Sequence, residues 1–555
     1  MSVLPKLVLL ATLFAAIWPH DARADRKTVC TITVNSPDEK ETFRRSLPQD
    51  EFQFVELVER GRPDWLASAC RKGVHCDVLL ISGHFDDGSE FYSDRLDARE
   101  SLPVDEMERV SCSQSCPGLF SQLKEVYLFG CNTLNDGALH SASMEIARSL
   151  VRAGRSQADA DRLAKLLSER HAESNRDRMR RIFKDVPVIY GFSAKAPLGP
   201  VAAALLDRYF QSGSAADVGS GRASPRLLGL FAPSSMTVAS GLTDADPQAG
   251  YRQDVCRFAD DRTSPAQKLG FVHALLERDT AEVRMFLDYL EKAVALHDRE
   301  RLAPPVAQAF AEIARDQTAR KRYLAFARDA DEPAIRVRMI GLARTLGWLS
   351  PQEQRTELVE LVGDLLSRGA VGPAEVELVC ALNKDGELGP ALTTLRLSAA
   401  KRGGAGNAAV LACLGDPEAR MRVLQALTGS SDDDVAVAQV YLQHHPVTDT
   451  AEFRAIAARI ARMKNADAQV RALDTLARLE VSDRESLDEL TRLFPLAKSI
   501  RVQRAIAGVL IRADYRSIAR PEFVRALRQQ RLKSPDGRDL IDVLIHQLQD
   551  VMPKA

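Results

Sequence analysis

Two residues in the first third of the chain carry side chains able to do covalent chemistry together. His84 closes the stretch "DVLLISGH", and Cys131 closes "EVYLFGC" 47 residues later. A cysteine attacks as its thiolate, and an imidazole beside it either takes the thiol proton or holds the thiolate as an ion pair. That chemistry needs both side chains at one site, so the elements that carry them must deliver them to the same rim.

The residues before each are apolar: Val78–Ile81 lead through Ser82 and Gly83 to His84, and Val126–Phe129 lead through Gly130 to Cys131. Short continuous apolar runs suit the central strands of a parallel sheet covered on both faces. Residues 28 to about 212 alternate such runs, at 29–34, 52–58, 77–82, 125–129 and 187–192, with helical patterns at 63–71, 139–153 and 199–210. The alternation predicts an α/β domain, a mostly parallel sheet flanked by helices. Ligands of open α/β sheets bind beyond the carboxyl ends of the strands. Neighbouring strands would therefore set His84 opposite Cys131. The charged segment 154–184 reads as a solvated helical hairpin inserted before the last strand.

The order His then Cys, at a spacing close to the roughly 50 residues of caspase-type enzymes, leads to a resemblance. "DVLLISGH" followed by "EVYLFGCNT" resembles the caspase-like fold of the clan CD cysteine peptidases. It is most similar to the CHAT and separase-like branch, whose motifs read hydrophobic-SGHG and hydrophobic-ACNT. "VPVIYGFSAKAPLGPVAAALLDRYF" resembles the strand and helix that follow in that domain, so the likeness spans roughly residues 28–212. It implies His84 as general base and Cys131 as nucleophile, with backbone amides near Gly130 and at Phe85 as candidates for the oxyanion hole. The family has glycine directly after the histidine where this chain has Phe85, a departure that bears on oxyanion geometry. Many of these peptidases hold the P1 side chain in a charged pocket, for which Asp86, Asp87 and Asp136 are the nearby candidates. Ser82 and Asn132 are candidate orienters of the pair.

At the N-terminus, Lys6 precedes an apolar stretch from Leu7 to Trp18, followed by Ala22-Arg23-Ala24. This is the order of a secretory signal cleaved after Ala24, and its apolar part is too short to span a bilayer comfortably. No later segment has the roughly 18 apolar residues of a spanning helix. The expected protein is secreted or periplasmic, with no membrane span once residues 1–24 are removed. Export changes how the nine cysteines are read, because thiols in an oxidising compartment mostly pair. Seven lie in the first half (Cys30, Cys70, Cys76, Cys112, Cys116, Cys131 and Cys256), so one is left over. Cys70 with Cys76, and Cys112 with Cys116, are close enough for local pairs, and zinc at Cys112 and Cys116 is the alternative. Removing Cys131 leaves six that can all pair.

From Gln211 to about Tyr251 the composition turns to Gly, Ser, Ala and Pro, which predicts a linker or loose loop over 213–255. Beyond it, residues 256–555 form a chain of amphipathic helical segments separated by Asp, Gly and Pro turns. Val437, Val470 and Val502 recur 33 and 32 residues apart, the signature of an α-solenoid, and the turn-D-x-x-V-R flavour resembles HEAT repeats. Cys380 and Cys413, also 33 apart, could stack on neighbouring repeats as a buried pair or a disulfide.

Charged residues make up 27% of the chain and the net charge is −1, so bulk electrostatics gives no reason to expect a nucleic-acid partner. No phosphate-binding Gly-rich loop, H-E-x-x-H or G-x-S-x-G occurs. The expected function is that of an exported cysteine endopeptidase acting on protein or peptide, with the repeats binding substrate or a partner protein, and with no cofactor or metal. The alternative is a catalytically inactive protein on the same fold that acts as a periplasmic interaction scaffold, which Phe85 and the oxidising compartment support best.

Overall fold

The structure, a computed structural model, describes residues 26–57, 66–85, 88–94, 100–137, 142–171, 173–295, 301–368, 371–392, 404–429, 431–478, 484–533 and 539–552. The expected signal, residues 1–24, lies outside them, as do Asp86 and Asp87. Two compact units form. One takes in the described residues up to Ala147 and Ser156–Ala293, the other Arg148–Arg155 and the described residues from Val294 onward.

Among its described residues the first unit has eight strands: β1 (Lys27–Thr33), β2 (Phe52–Glu56), β3 (Val78–Ser82), β4 (Glu90–Tyr92), β5 (Ser101–Pro103), β6 (Glu125–Phe129), β7 (Val188–Phe192) and β8 (Met236–Ala239). Six of them make one sheet in the order β2-β1-β3-β6-β7-β8, and β4 pairs with β5 in a hairpin. Within the sheet every pairing is parallel except β7 with β8. The helices are α1 (Asp38–Ser46), α2 (Ala67–Arg71), α3 (Val104–Cys112), α4 (Ala142–Arg152), α5 (Gln157–His171), α6 (Asn175–Ile182), α7 (Gly199–Gln211) and α8 (Pro225–Phe231), with further helices from Ala249 onward.

Every residue of β3, β6 and β7 is buried, which is why their sequences run apolar without alternating. Successive side chains still point to opposite faces. Cys30, Ile32, Leu79, Ile81, Val126 and Leu128 join the core on one face. Val29, Val78, Leu80, Tyr127 and Phe129 join the core on the other. Each large aliphatic buried this way contributes roughly 1.5–3 kcal/mol, so the three central strands are the best-anchored part of the unit.

Two expectations are corrected. Residues 213–255 are not a linker: they hold a 3-10 turn (Ser214–Asp217), α8 and β8, the sixth strand of the sheet. β8 is only four residues long and sits among Ser and Gly, too short to show a strand pattern, yet Leu227, Phe231 and Met236 bury against the sheet. Nor are the disulfides local. They join Cys30 to Cys76, Cys70 to Cys116 and Cys112 to Cys256. The cause is topological: β1 lies beside β3, with Cys30 opposite Leu79, so the residues just before β3 come to Cys30. Both sulfurs of the zinc alternative are thereby engaged elsewhere. A fourth bridge joins Cys380 to Cys413, leaving Cys131 as the ninth and unpaired cysteine.

The second unit is all-helical from Val294. Its helices at Asp432–His444, Thr450–Arg462, Ala466–Ala477, Arg484–Leu493, Ile500–Arg512 and Pro521–Gln529 follow the 30-odd-residue period. The recurrent polar turn residues are N-caps: the side chains of Asp416, Ser431, Asp449, Asn465 and Ser499 each accept from a first-turn amide. Ion pairs join residues about one period apart, Arg420 with Glu452, Arg454 with Glu485, Arg501 with Asp467 and Arg520 with Asp488. The exposed members of this set add little stability each, but their spacing shows one helical unit stacked on the next. No helix among the described residues is long and apolar enough to cross a membrane.

Candidate active site

The register of β3 on β6 decides where the two reactive residues stand. Ser82 pairs with Phe129, and the Gly83 amide continues the ladder with a 3.1 Å bond to the Phe129 carbonyl. His84 and Cys131 each follow that pair by two residues, just past the ends of adjacent parallel strands, which run about 4.8 Å apart. Both line a cavity of about 340 Å³ at the carboxyl edge of the sheet, with residues following β1 (Asn35, Ser36) and β7 (Lys195–Gly199). In the order β2-β1-β3-β6-β7 the connection direction reverses between β1 and β3, the place where such sheets open a crevice.

His84 is fixed by backbone. It exchanges two 2.9 Å bonds with Tyr92, its N–H donating to the Tyr92 carbonyl and its carbonyl accepting from the Tyr92 amide. Its ring lies 5.4 Å from the Tyr92 ring. Nε2 stands 3.3 Å from Asp94 Oδ2, but off the hydrogen-bond direction, and it has no hydrogen-bond partner among the described residues.

The "GCNTLN" stretch is tied down almost residue by residue. Asn132 takes a left-handed conformation (φ 58°), which asparagine tolerates better than most residues, and so bends the chain sharply after the cysteine. Its amide donates to the Ala194 carbonyl at 2.7 Å and its carbonyl accepts from Asn175 Nδ2 at 3.0 Å. The buried Thr133 hydroxyl donates to the Gly130 carbonyl (3.2 Å) and accepts from the Phe192 amide (3.0 Å). Gly191 on β7 is what lets the turn lie so close, since a Cβ there would meet Thr133 Oγ1 at 2.6 Å and Leu134 Cγ at 2.8 Å. Asn135 Nδ2 donates to the Ser193 carbonyl at 2.7 Å. Cys131 itself is half-buried, and its Sγ accepts from the Ala196 amide at 3.4 Å.

The remaining expectations divide. Gly130 lines the cavity, but Phe85 does not. The Phe85 ring turns inward, fully buried and 4.6 Å from the Phe91 ring. Ser82 is buried and donates to Glu39 Oε2 at 2.9 Å, not to His84, and Asn132 acts through its backbone. Asp136 is exposed and does not line the cavity.

What the sequence did not disclose is Glu39. It is 2% exposed, lies in the first turns of α1, and lines the same cavity. Burial pushes its carboxyl above the ordinary value, against a backbone amide and the Ser82 hydroxyl that hold it down. Its only sequence signal was an acid in the "SPDEKETF" helix start, where acids are common. Asp94 and the Ala196 amide went unseen for a similar reason: only the fold brings them to the rim.

The charged insert is more than a solvated hairpin. Asn175, Met179, Arg181 and Ile182 of α6 are buried. α6 holds both reactive loops, through the Asn175 bond to Asn132, the Arg176 amide bond to the Asn135 carbonyl (3.0 Å) and the Arg178 Nη1 bond to the Gly88 carbonyl (2.8 Å). Its own anchor is the buried pair Arg181–Glu108.

No protein-family model matches the chain, and none of the curated proteins searched matches it.

Proposed function

We propose that the chain is a cysteine endopeptidase of caspase-like type, with Cys131 as nucleophile, His84 as general base and HEAT-like repeats that recruit a substrate or partner protein. One observation carries this reading: the only unpaired cysteine and a histidine each follow by two residues the last register pair of adjacent strands and line one cavity. In it, His84 takes the Cys131 proton and the thiolate adds to the scissile carbonyl, while amides at Gly130 and Cys131 receive the oxyanion. Collapse breaks the C–N bond, the imidazolium gives its proton to the departing amine, and an acyl-enzyme remains. Water, losing a proton to His84, then releases the acid and restores the thiol.

The Glu39 carboxyl in the cavity wall favours a basic P1 side chain, which would ionise it and offset its burial. The disulfides fit an oxidising, extracytoplasmic compartment, and with residues 1–24 read as a signal they support a secreted or periplasmic enzyme. The buried Phe85, standing where the resembled peptidases have glycine, favours a second reading: a non-catalytic interaction protein on the same scaffold.

An acyloxymethyl ketone with lysine at P1 separates the two. Under mild reduction it should label Cys131, located by peptide mass spectrometry, and neither Cys131→Ala nor His84→Ala should be labelled. A folded wild type whose Cys131 stays unlabelled by both basic and acidic P1 probes would leave only the scaffold reading.

A further inference from the structure

The helical unit holds a cluster the peptidase reading does not use. Cys380 lies in the last turn of the helix Pro373–Leu382, Cys413 ends the helix Ala405–Cys413, and His445 directly follows the helix Asp432–His444. These three helices pack against one another. One ligand atom from each residue, two Sγ and an imidazole nitrogen, all lie within 4.8 Å of one another. Both cysteines are buried and His445 is half-buried. The imidazole stacks on Tyr441 at 5.1 Å, and among the described residues no hydrogen bond claims its ring nitrogens. Two sulfurs and an imidazole with no hydrogen bond among the described residues therefore stand close enough for one ion to bridge all three helices. That is a setting for a cation.

We propose that Cys380, Cys413 and His445 form a site for a soft or borderline d10 cation, Zn(II) or Cu(I), whenever the two cysteines are reduced. Bonds of about 2.3 Å to sulfur and 2.0 Å to nitrogen place tetrahedral ligand atoms roughly 3.5–3.8 Å apart, so side-chain rotation that separates the sulfurs is enough to admit the ion. Thiolate and imidazole together select these metals over hard cations such as Mg(II) or Ca(II). Disulfide and metal complex are alternative states of the same sulfurs. A dithiol reductant opens the bridge, giving two thiols and itself becoming a disulfide. Metal binding then releases the two thiol protons to solvent, and the ion bridges the stacked helices as the disulfide had.

The test uses the full chain carrying Cys131→Ser, reduced anaerobically with a phosphine. It is titrated with Zn(II) in one arm and Cu(I) in the other, each buffered by a chromophoric chelator. In at least one arm this parent should bind one equivalent more than the same chain with Cys380→Ser and Cys413→Ser. His445→Ala should hold that equivalent at least about tenfold more weakly. Equal stoichiometry with and without the two cysteines in both arms overturns the site, as does undiminished affinity in His445→Ala. Should the double serine variant lose its helical circular dichroism, alkylation of the parent decides. Bound metal must slow iodoacetamide modification of both Cys380 and Cys413, read by mass spectrometry, and unchanged rates overturn the proposal.

Discussion

Gly130 is the point where the packing of the core and the placing of Cys131 meet, so adding one methyl group there tests the whole arrangement. A Cβ at residue 130 would lie 2.9 Å from the Gly83 carbonyl oxygen, 2.9 Å from Phe85 Cβ and 3.1 Å from Phe91 Cε1. Two of these neighbours cannot swing away: one is backbone of the adjacent strand, and the other is the root of a fully buried ring. Overpacking of this kind typically costs about 1–3 kcal/mol, and at roughly 2–4 °C per kcal/mol for a unit of this size Gly130→Ala should lower the melting temperature by roughly 2–12 °C. Relief can come only if β6 moves away from β3, which carries Cys131 away from His84. A displacement near 1 Å can cost on the order of 100-fold in rate, so labelling of Cys131 by the basic probe should slow far more than the stability loss explains. Gly229→Ala is the control. It sits exposed in α8 with nothing within 4 Å of its Cβ position, so it should be neutral or stabilising by up to about 1 kcal/mol and leave labelling alone. A Gly130→Ala protein with parental melting and parental labelling would refute the claim that these strands lock the pair in register.

Other outcomes follow from buried groups. Burial pushes the Glu108 carboxyl up, but Arg181 and Arg178, with hydrogen bonds from Arg181 and Tyr289, outweigh it and bring it down to about 2. A depressed folded value means the stabilisation is complete above the ordinary 4.5 and is lost as pH falls from there towards 2. Glu108→Gln should therefore cost roughly 3–5 kcal/mol at pH 7 by stranding Arg181, and its deficit in urea unfolding should shrink on acidification below pH 4.5. Glu39 runs the other way: its folded value is raised, so its penalty grows as pH climbs above 4.5. Glu39→Gln should raise the melting temperature at pH 7.5, have little effect at pH 4, and reduce hydrolysis of peptides with lysine or arginine at P1. A Glu39→Gln protein that melts lower than wild type at pH 7.5 contradicts this. Replacing Cys112 and Cys256 together by serine opens a bridge across 144 residues and should cost about 2–5 kcal/mol in chemical unfolding.

The strands were legible because buried parallel strands need mostly apolar residues, and 78–81, 126–129 and 188–190 supply them in unbroken runs. His84 and Cys131 were legible for the same reason, each being the first reactive residue after such a run. β8 was not, because a four-residue edge strand between Ser235 and Ser240 offers no period to detect. Glu39 and Asp94 were hidden because an acid is ordinary at a helix start or in a loop. What makes them unusual is that α1 presses one into the buried part of the cavity wall and the hairpin after His84 brings the other beside its ring. The disulfide partners were hidden because sheet order, not sequence distance, sets them.

The packing also explains Phe85. A glycine after the histidine keeps a rim open and pliant. Here Phe85 stacks on Phe91 beneath the rim, and that aromatic pair crowds Gly83 and Gly130, the two residues just before His84 and Cys131. The backbone freedom lost at residue 85 is replaced by a rigid floor under both reactive residues. Phe85→Gly would remove that floor along with about 3–5 kcal/mol of core packing. If its labelling falls in step with its stability, the phenylalanine serves the site as a support, and a folded Phe85→Gly protein that labels faster than wild type would instead show that the ring holds the oxyanion site shut.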